Sequence, residues 1–169
     1  MRSYFLIFLI LAFVVFGCNK SNPDPIEETN KNEMLGYVTV AGRDTRLFVA
    51  RADSTSFVRT VNNDTIIKIS GFDGQKQIHL RLVNITSNGT YPFQNADTTL
   101  QDVTRAFYSE ETLFYSTDGT NADILSFGTV EISEISATHI AAKLNVMLGD
   151  TGSLTKVYLE EIFIVGDFR

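Results

Sequence analysis

The residue best placed for covalent chemistry is Cys18, the one cysteine of this 169-residue chain. An apolar run from Tyr4 to Phe16 leads into Val15-Phe16-Gly17-Cys18. This fits a lipobox, with a branched aliphatic three residues before the cysteine and a small residue just before it. Phe16 is bulkier than the usual occupant of its position. At such a site the thiol takes a diacylglyceryl group as a thioether, the chain is cut before the cysteine, and the new amine is acylated. Residues 1–17 therefore read as a signal peptide, with Arg2 as its positive charge. The run is shorter than the roughly 20 residues that a spanning helix needs. Each buried methylene contributes about 0.8 kcal/mol, so several long chains, palmitate among them, give a lasting membrane anchor. On this reading Cys18 is neither nucleophile nor metal ligand, and no thiol remains for a disulfide.

Other groups with chemical potential are few. The two histidines, His79 and His139, fall on the polar phase of alternating segments. A serine hydrolase would need such a base beside a strained serine elbow, and no Gly-x-Ser-x-Gly occurs. Glu110-Glu111 and Glu160-Glu161 are the paired carboxylates of the body. Neighbours on a strand point to opposite faces, so neither pair can flank one glycosidic bond unless a bulge or loop intervenes. Asp118, Asn121 and Asp123 put three oxygen ligands into six residues, a weak calcium candidate. The later glutamate and flanking helices of an EF-hand are missing, and an Asp118-Gly119 hairpin explains the same residues. No metal, no cofactor and no catalytic residue is assigned.

The elements that must carry these residues are strands. Ile78, Leu80 and Leu82 alternate with Gln77, His79 and Arg81, and Ile140 through Leu148 repeats the pattern, as in strands half-buried on a core. Leu80 and Leu144 sit at the centres of the two inward faces. Further strands are expected at 35–40, 46–52, 56–61, 65–70, 89–93, 104–109, 112–117, 127–133 and 156–165. Turn chemistry separates them, as at Asp73-Gly74 and Asn88-Gly89. A short helical turn is expected within 94–104. In the last strand the apolar phase switches across Glu160-Glu161, which a β-bulge would reconcile. Even spacing without crossover helices implies an all-β fold with antiparallel pairing: a β-sandwich, with a closed or partly open barrel as the alternative.

Composition narrows the partners. The chain carries 14 Lys+Arg and 20 Asp+Glu. Cleavage before Cys18 removes only Arg2, leaving 13 against 20, or −7. An acidic body repels phosphate backbones, so nucleic acid is not an expected partner. Residues 18–33 contain two of the three prolines and little apolar surface, and read as the acylated cysteine plus a flexible tether. Residues 34–169 suit one domain. There is no tryptophan for a sugar platform. Tyr37, Tyr91, Tyr108, Tyr115 and Tyr158 could present a stacking face, although core packing is the default for each.

The lipobox and tether, Gly89-Thr90-Tyr91-Pro92-Phe93 and Phe127-Gly128-Thr129-Val130-Glu131-Ile132 together resemble a family of all-β Bacteroidota lipoproteins with no established activity, as does the closing Gly166-Asp167-Phe168. Two departures stand out: Ala141-Ala142-Lys143-Leu144 replaces a Gly-Thr-Phe signature, and Glu161 stands where glycine is common. The resemblance covers most of 34–169 and implies a fold but no catalytic residue. Asp24, Glu27, Glu28 and Glu33 are loosely similar to a surface-export signal of such proteins, but Asn19 and Lys20 come first, and a plain solvated linker is the favoured reading. Asp53-Ser54-Thr55, Asp64-Thr65-Ile66 and Asp97-Thr98-Thr99 resemble their O-glycosylation motif. That makes Ser54, Thr65 and Thr98 candidate sites, against the plainer reading of Asp-Thr as a turn or cap pair. The Asn-x-Thr matches at Asn63, Asn84 and Asn88 are inert in a bacterial envelope.

The sequence thus leads to a non-enzymatic lipoprotein of the bacterial envelope, held at the outer membrane by its N-terminal lipid. Its expected role is a binding module for an unknown protein or envelope polymer. A barrel carrying a small ligand is the second reading, and a hydrolase ranks behind both.

Overall fold

The computed structural model describes residues 32–93, 104–117, 127–150 and 155–169. Eleven strands run in chain order among them. These are β1 (Glu33–Val40), β2 (Arg46–Ala50), β3 (Thr55–Val61), β4 (Thr65–Asp73), β5 (Lys76–Val83), β6 (Gly89–Phe93), β7 (Arg105–Glu110), β8 (Leu113–Ser116), β9 (Phe127–Ile135), β10 (His139–Asp150) and β11 (Lys156–Asp167). Each coincides with a segment expected from the alternation. The one revision lies at 51–54, where β2 stops short and a 3-10 turn spans Ala52–Ser54. Ser54 Oγ causes it, accepting from Arg51 N at 3.0 Å and donating to Arg51 O at 3.1 Å. The helical turn expected within 94–104 falls almost wholly outside the described residues.

All pairings are antiparallel. One continuous sheet runs β2-β1-β11-β10-β8-β7-β5-β4-β3, with β9 on the remaining part of β10 and β6 beyond it. Its two ends approach one another. Val49 N on β2 donates to Asp73 Oδ2 on β4 at 3.3 Å, and Arg169 N, just past β11, donates to Phe57 O on β3 at 3.0 Å. The fold is all-β, and of the two architectures weighed, a sheet curled into a nearly closed barrel describes it.

Every strand sends side chains into one interior cluster, among them Phe48, Phe57, Ile78, Tyr108, Tyr115 and Ile132. Leu80 and Leu144 are both buried within it. The bulge expected in the last strand is present. Both ladders of β11 skip a residue there: Leu35 pairs with Phe163 but Tyr37 with Glu160, and Leu144 with Ile162 but Val146 with Leu159. Glu161 takes the left-handed backbone that permits this, at φ 51°. Val157, Leu159, Ile162 and Ile164 consequently all face inward. Gly36 on β1 makes room for the bulge, because a Cβ there would lie 2.6 Å from Glu161 O and Ile162 Cα.

Candidate functional site

The residues singled out for chemistry are dispersed by the fold. His79 lies on the outer face of β5, half-buried. Its Nδ1 is 2.8 Å from Ser70 Oγ and its Nε2 is 3.3 Å from Gln77 Oε1. Phe72 meets the ring edge-on, centroids 5.6 Å apart. Burial lowers the His79 pKa below its ordinary value, so the imidazole is neutral near pH 7. His139 opens β10 on another part of the sheet, with Nδ1 2.7 Å from Asp167 Oδ1. Ser136 in the same turn accepts from the backbone N–H groups of Thr138 and His139, which marks it as a turn brace.

Glu110 and Glu111 are separated, one buried and one exposed, whereas the bulge leaves Glu160 and Glu161 both on the outside. Glu110 is buried at the end of β7, accepting from Arg46 Nη1 at 2.8 Å and from the Tyr108 hydroxyl at 3.2 Å, with Arg43 at 3.7 Å. Burial and the Glu110 carboxylate both push the Tyr108 hydroxyl pKa up, which keeps it protonated as a donor. Glu111 is exposed in the turn that follows. Glu160 and Glu161 are both exposed at the bulge: Thr39 Oγ1 donates to Glu160 at 3.4 Å, and Lys143 Nζ bonds Glu161 at 2.7 Å. Of the five tyrosines weighed as stacking faces, Tyr108 and Tyr115 are core residues and Tyr91 is half-buried, its hydroxyl donating to Ser87 O at 2.8 Å. Tyr37 and Tyr158 depart from the core default and face outward. Ser54 is tied into its 3-10 turn and Thr65 opens β4. Cys18, Thr98, Asp118, Asn121 and Asp123 lie outside the described residues.

Two outer faces gather side chains that the sequence did not associate. On the first, cross-strand partners place Val49, Leu35, Phe163, Lys143 and Glu131 in one row across β2, β1, β11, β10 and β9. Phe163 is 50% exposed and Val165 43%. A groove of about 250 Å³ runs here between Glu131, Ala141, Lys143 and Phe163, and a second of about 330 Å³ lies between Phe127, Asn145, Tyr158 and Glu160. The Lys143 ammonium sits 5.2 Å from the Phe163 ring centroid in addition to its bond with Glu161. Its charge is satisfied twice.

On the second face, β4, β5 and β7 place Lys68 opposite Arg81 and Arg81 opposite Arg105. Three cations thus form one cross-strand row. Among the described residues neither Lys68 nor Arg81 forms an ion pair, whereas Arg105 has a partner. The Nε–H of Arg81 is buried without an acceptor. The next row along the strands is Ser70, His79, Phe107 and Ser116, and the one beyond is Phe72, Gln77, Ser109 and Phe114. Phe107 and Phe114 lie 5.8 Å apart, centroid to centroid. A row of three cations therefore lies beside a row that holds His79 and Phe107. Alternation marked Lys68 and Arg81 as outward residues, but nothing in the sequence made them neighbours.

Comparison with family models, with curated proteins and with solved structures gave no match.

Proposed function

We propose that the protein is a lipid-anchored envelope module that binds its partner on the outside of the barrel and catalyses no reaction. The observation that carries the anchor is the Val15-Phe16-Gly17-Cys18 sequence closing a short apolar run. Binding on the outside is supported by the interior cluster, to which all eleven strands contribute large side chains, and by the two grooves, both of which open on the outer surface. The dispersal of His79, His139 and the carboxylate pairs onto separate partners supports a non-enzymatic role.

Labelled palmitate tests the anchor. The wild type should incorporate it and partition into detergent, while Cys18→Ala should do neither. Equal labelling of the two would remove the topological argument. A panel of esters, glycosides and peptides tests the absence of catalysis, and turnover above background would sink that part. A lipophilic dye that bound stoichiometrically inside the barrel would favour the carrier reading.

A further inference from the structure

We infer that the outer face of β1, β2 and β11 rests on the bilayer that holds the anchor, with Leu35, Tyr37, Leu47 and Phe163 at the boundary between headgroups and acyl chains. This rests on the reading of Cys18 as a lipid anchor, and it names what one side of the barrel meets.

The starting point is where the exposed apolar side chains lie. Register places Val49 beside Leu35 and Leu35 beside Phe163, while Leu47 stands beside Tyr37 in the next row. Val165 follows Phe163 on the same side of β11. Leu47 is 51% exposed and Tyr37 49%. Of the eleven large apolar side chains exposed among the described residues, six lie on these three neighbouring strands, which makes a patch and not a scatter. Single apolar residues on a surface are ordinary, whereas a contiguous patch marks a surface that something covers. The interior does not need these side chains. Met34, Phe48 and Ile164 already supply the core from the opposite side of the same strands.

Two observations choose the occupant. The first is where the chain enters the barrel. Asn32 is buried at the head of β1, where its Oδ1 accepts from Asp167 N at 2.8 Å and its carbonyl accepts from Thr55 Oγ1 at 3.2 Å. The entry point is thereby fixed against β11 and β3. Leu35 is three residues further on, about 10 Å along the strand. Cys18 stands fifteen residues before Glu33, and a chain of that length spans at most about 54 Å. An acylated Cys18 therefore keeps the body close over the bilayer, with this face at the point of attachment. At the effective concentration such a linkage gives, a patch too small to bind a membrane alone suffices to orient the body. The second observation is charge. Beside the patch Arg51 lies 3.7 Å from Glu33, and Lys143 bonds Glu161 at 2.7 Å with its ammonium over the Phe163 ring. A protein partner or a second copy is held in register by charges that complement its own, and these are already matched within the chain. A layer of zwitterionic lipid asks for no such match. It takes Tyr37 with the ring inside and the hydroxyl in water, as tyrosine sits at membrane interfaces.

The test uses the full acylated chain in vesicles of phosphatidylethanolamine and phosphatidylcholine, with a fraction of the lipid carrying a nitroxide near the headgroup. The chain has no tryptophan, so an introduced one is the sole indole. Tyr37→Trp reports on the patch. Phe114→Trp, at an exposed aromatic of β8, reports on a different part of the sheet. On vesicles Tyr37→Trp should shift its emission to shorter wavelength and be quenched by the nitroxide, and Phe114→Trp should do neither. Adding Leu35→Thr and Phe163→Thr to Tyr37→Trp should abolish both effects while the chain still sediments with the vesicles and keeps its circular dichroism spectrum. The proposal is overturned if the two reporters are quenched equally or if Tyr37→Trp neither shifts nor is quenched. It is overturned as well by a shift without quenching, the result expected if a second copy or residues 19–31 covered the patch. Palmitate labelling and sedimentation separate the two readings. A labelled, sedimenting chain whose Tyr37→Trp reporter is unquenched removes this proposal alone, whereas a chain that takes no label and stays in solution removes the anchor and this proposal with it.

Discussion

Lys143 and Lys68 occupy equivalent places on opposite parts of one curled sheet: each is an outward residue of a central strand whose inward neighbours are core. Lys143 is bonded to Glu161 at 2.7 Å and capped by the Phe163 ring. Lys68 faces Arg81 instead, with no acid to meet it among the described residues. The same alternation thus yields one face with its charge compensated locally and another with its charge left over. Alternation decides which residues face out. Pairing decides which of them meet, and the use of a face depends on the second.

The largest expected effect tests whether both faces cover the same core. Leu80 lies beneath the cationic row on β5, and Leu144 beneath the Lys143 face on β10. Either leucine changed to alanine should cost about 2–5 kcal/mol by denaturant unfolding, in a single transition with no disulfide in reserve. If Leu80→Ala cost under about 1 kcal/mol while Leu144→Ala cost the full amount, the two halves would not share one cooperative interior.

That symmetry inside was legible in the sequence, and the asymmetry outside was not. Period-two patterning located the strands, because burial on one face constrains every second residue. The phase switch at Glu160-Glu161 located the bulge, because only an extra residue can bring Val157 and Ile164 to the same side. Strand order is a different matter. β6 follows β5 in the chain, but leaves that neighbourhood to pair with β9, and β7 takes its place beside β5. No local signal encodes this exchange, so Arg105 could not be set beside Arg81 from the sequence. Ser54 was legible as a turn residue but not as the one that ends β2, since its bond to Arg51 depends on where the chain must turn toward β3.

A smaller effect is expected at the bulge that shapes the Lys143 face. Gly36→Ala would set a methyl group 2.6 Å from Glu161 O and Ile162 Cα. Backbone cannot yield as a flexible side chain can, so overpacking of about 1–3 kcal/mol should follow. Amide exchange should quicken along β1 and β11 and remain unchanged across β4 and β5. Exchange that rose equally in both regions would mean the bulge is not a local feature of its face.

His79 offers a pH test confined to the cationic face. Burial lowers its pKa in the fold, so between the ordinary value of 6.5 and the lowered one the unfolded chain binds more protons than the native one. Stability then rises with pH through that window and falls as the solution is acidified below 6.5. His79→Gln should flatten this part of the stability profile while leaving the plateau near pH 8 close to its original height. A profile that kept its slope in the variant would assign the titration elsewhere.

The smallest effect is also the one whose sign separates the two faces. Lys68→Thr removes one member of a like-charged cross-strand pair and puts a good strand former in its place. It should raise stability by about 0.2–1 kcal/mol at low ionic strength. The gain should shrink in 1 M salt, where screening acts within about 3 Å. Lys143→Thr removes a partnered charge and the cation over Phe163. It should instead lower stability, and by no more than about 1 kcal/mol, because the ion pair is partly exposed. Opposite signs for two lysine-to-threonine changes on one sheet would show that the Lys68 row is kept at a cost to the fold. If Lys68→Thr destabilised the protein as Lys143→Thr does, the row would be contributing to the fold, and the contrast between the faces would fail with it.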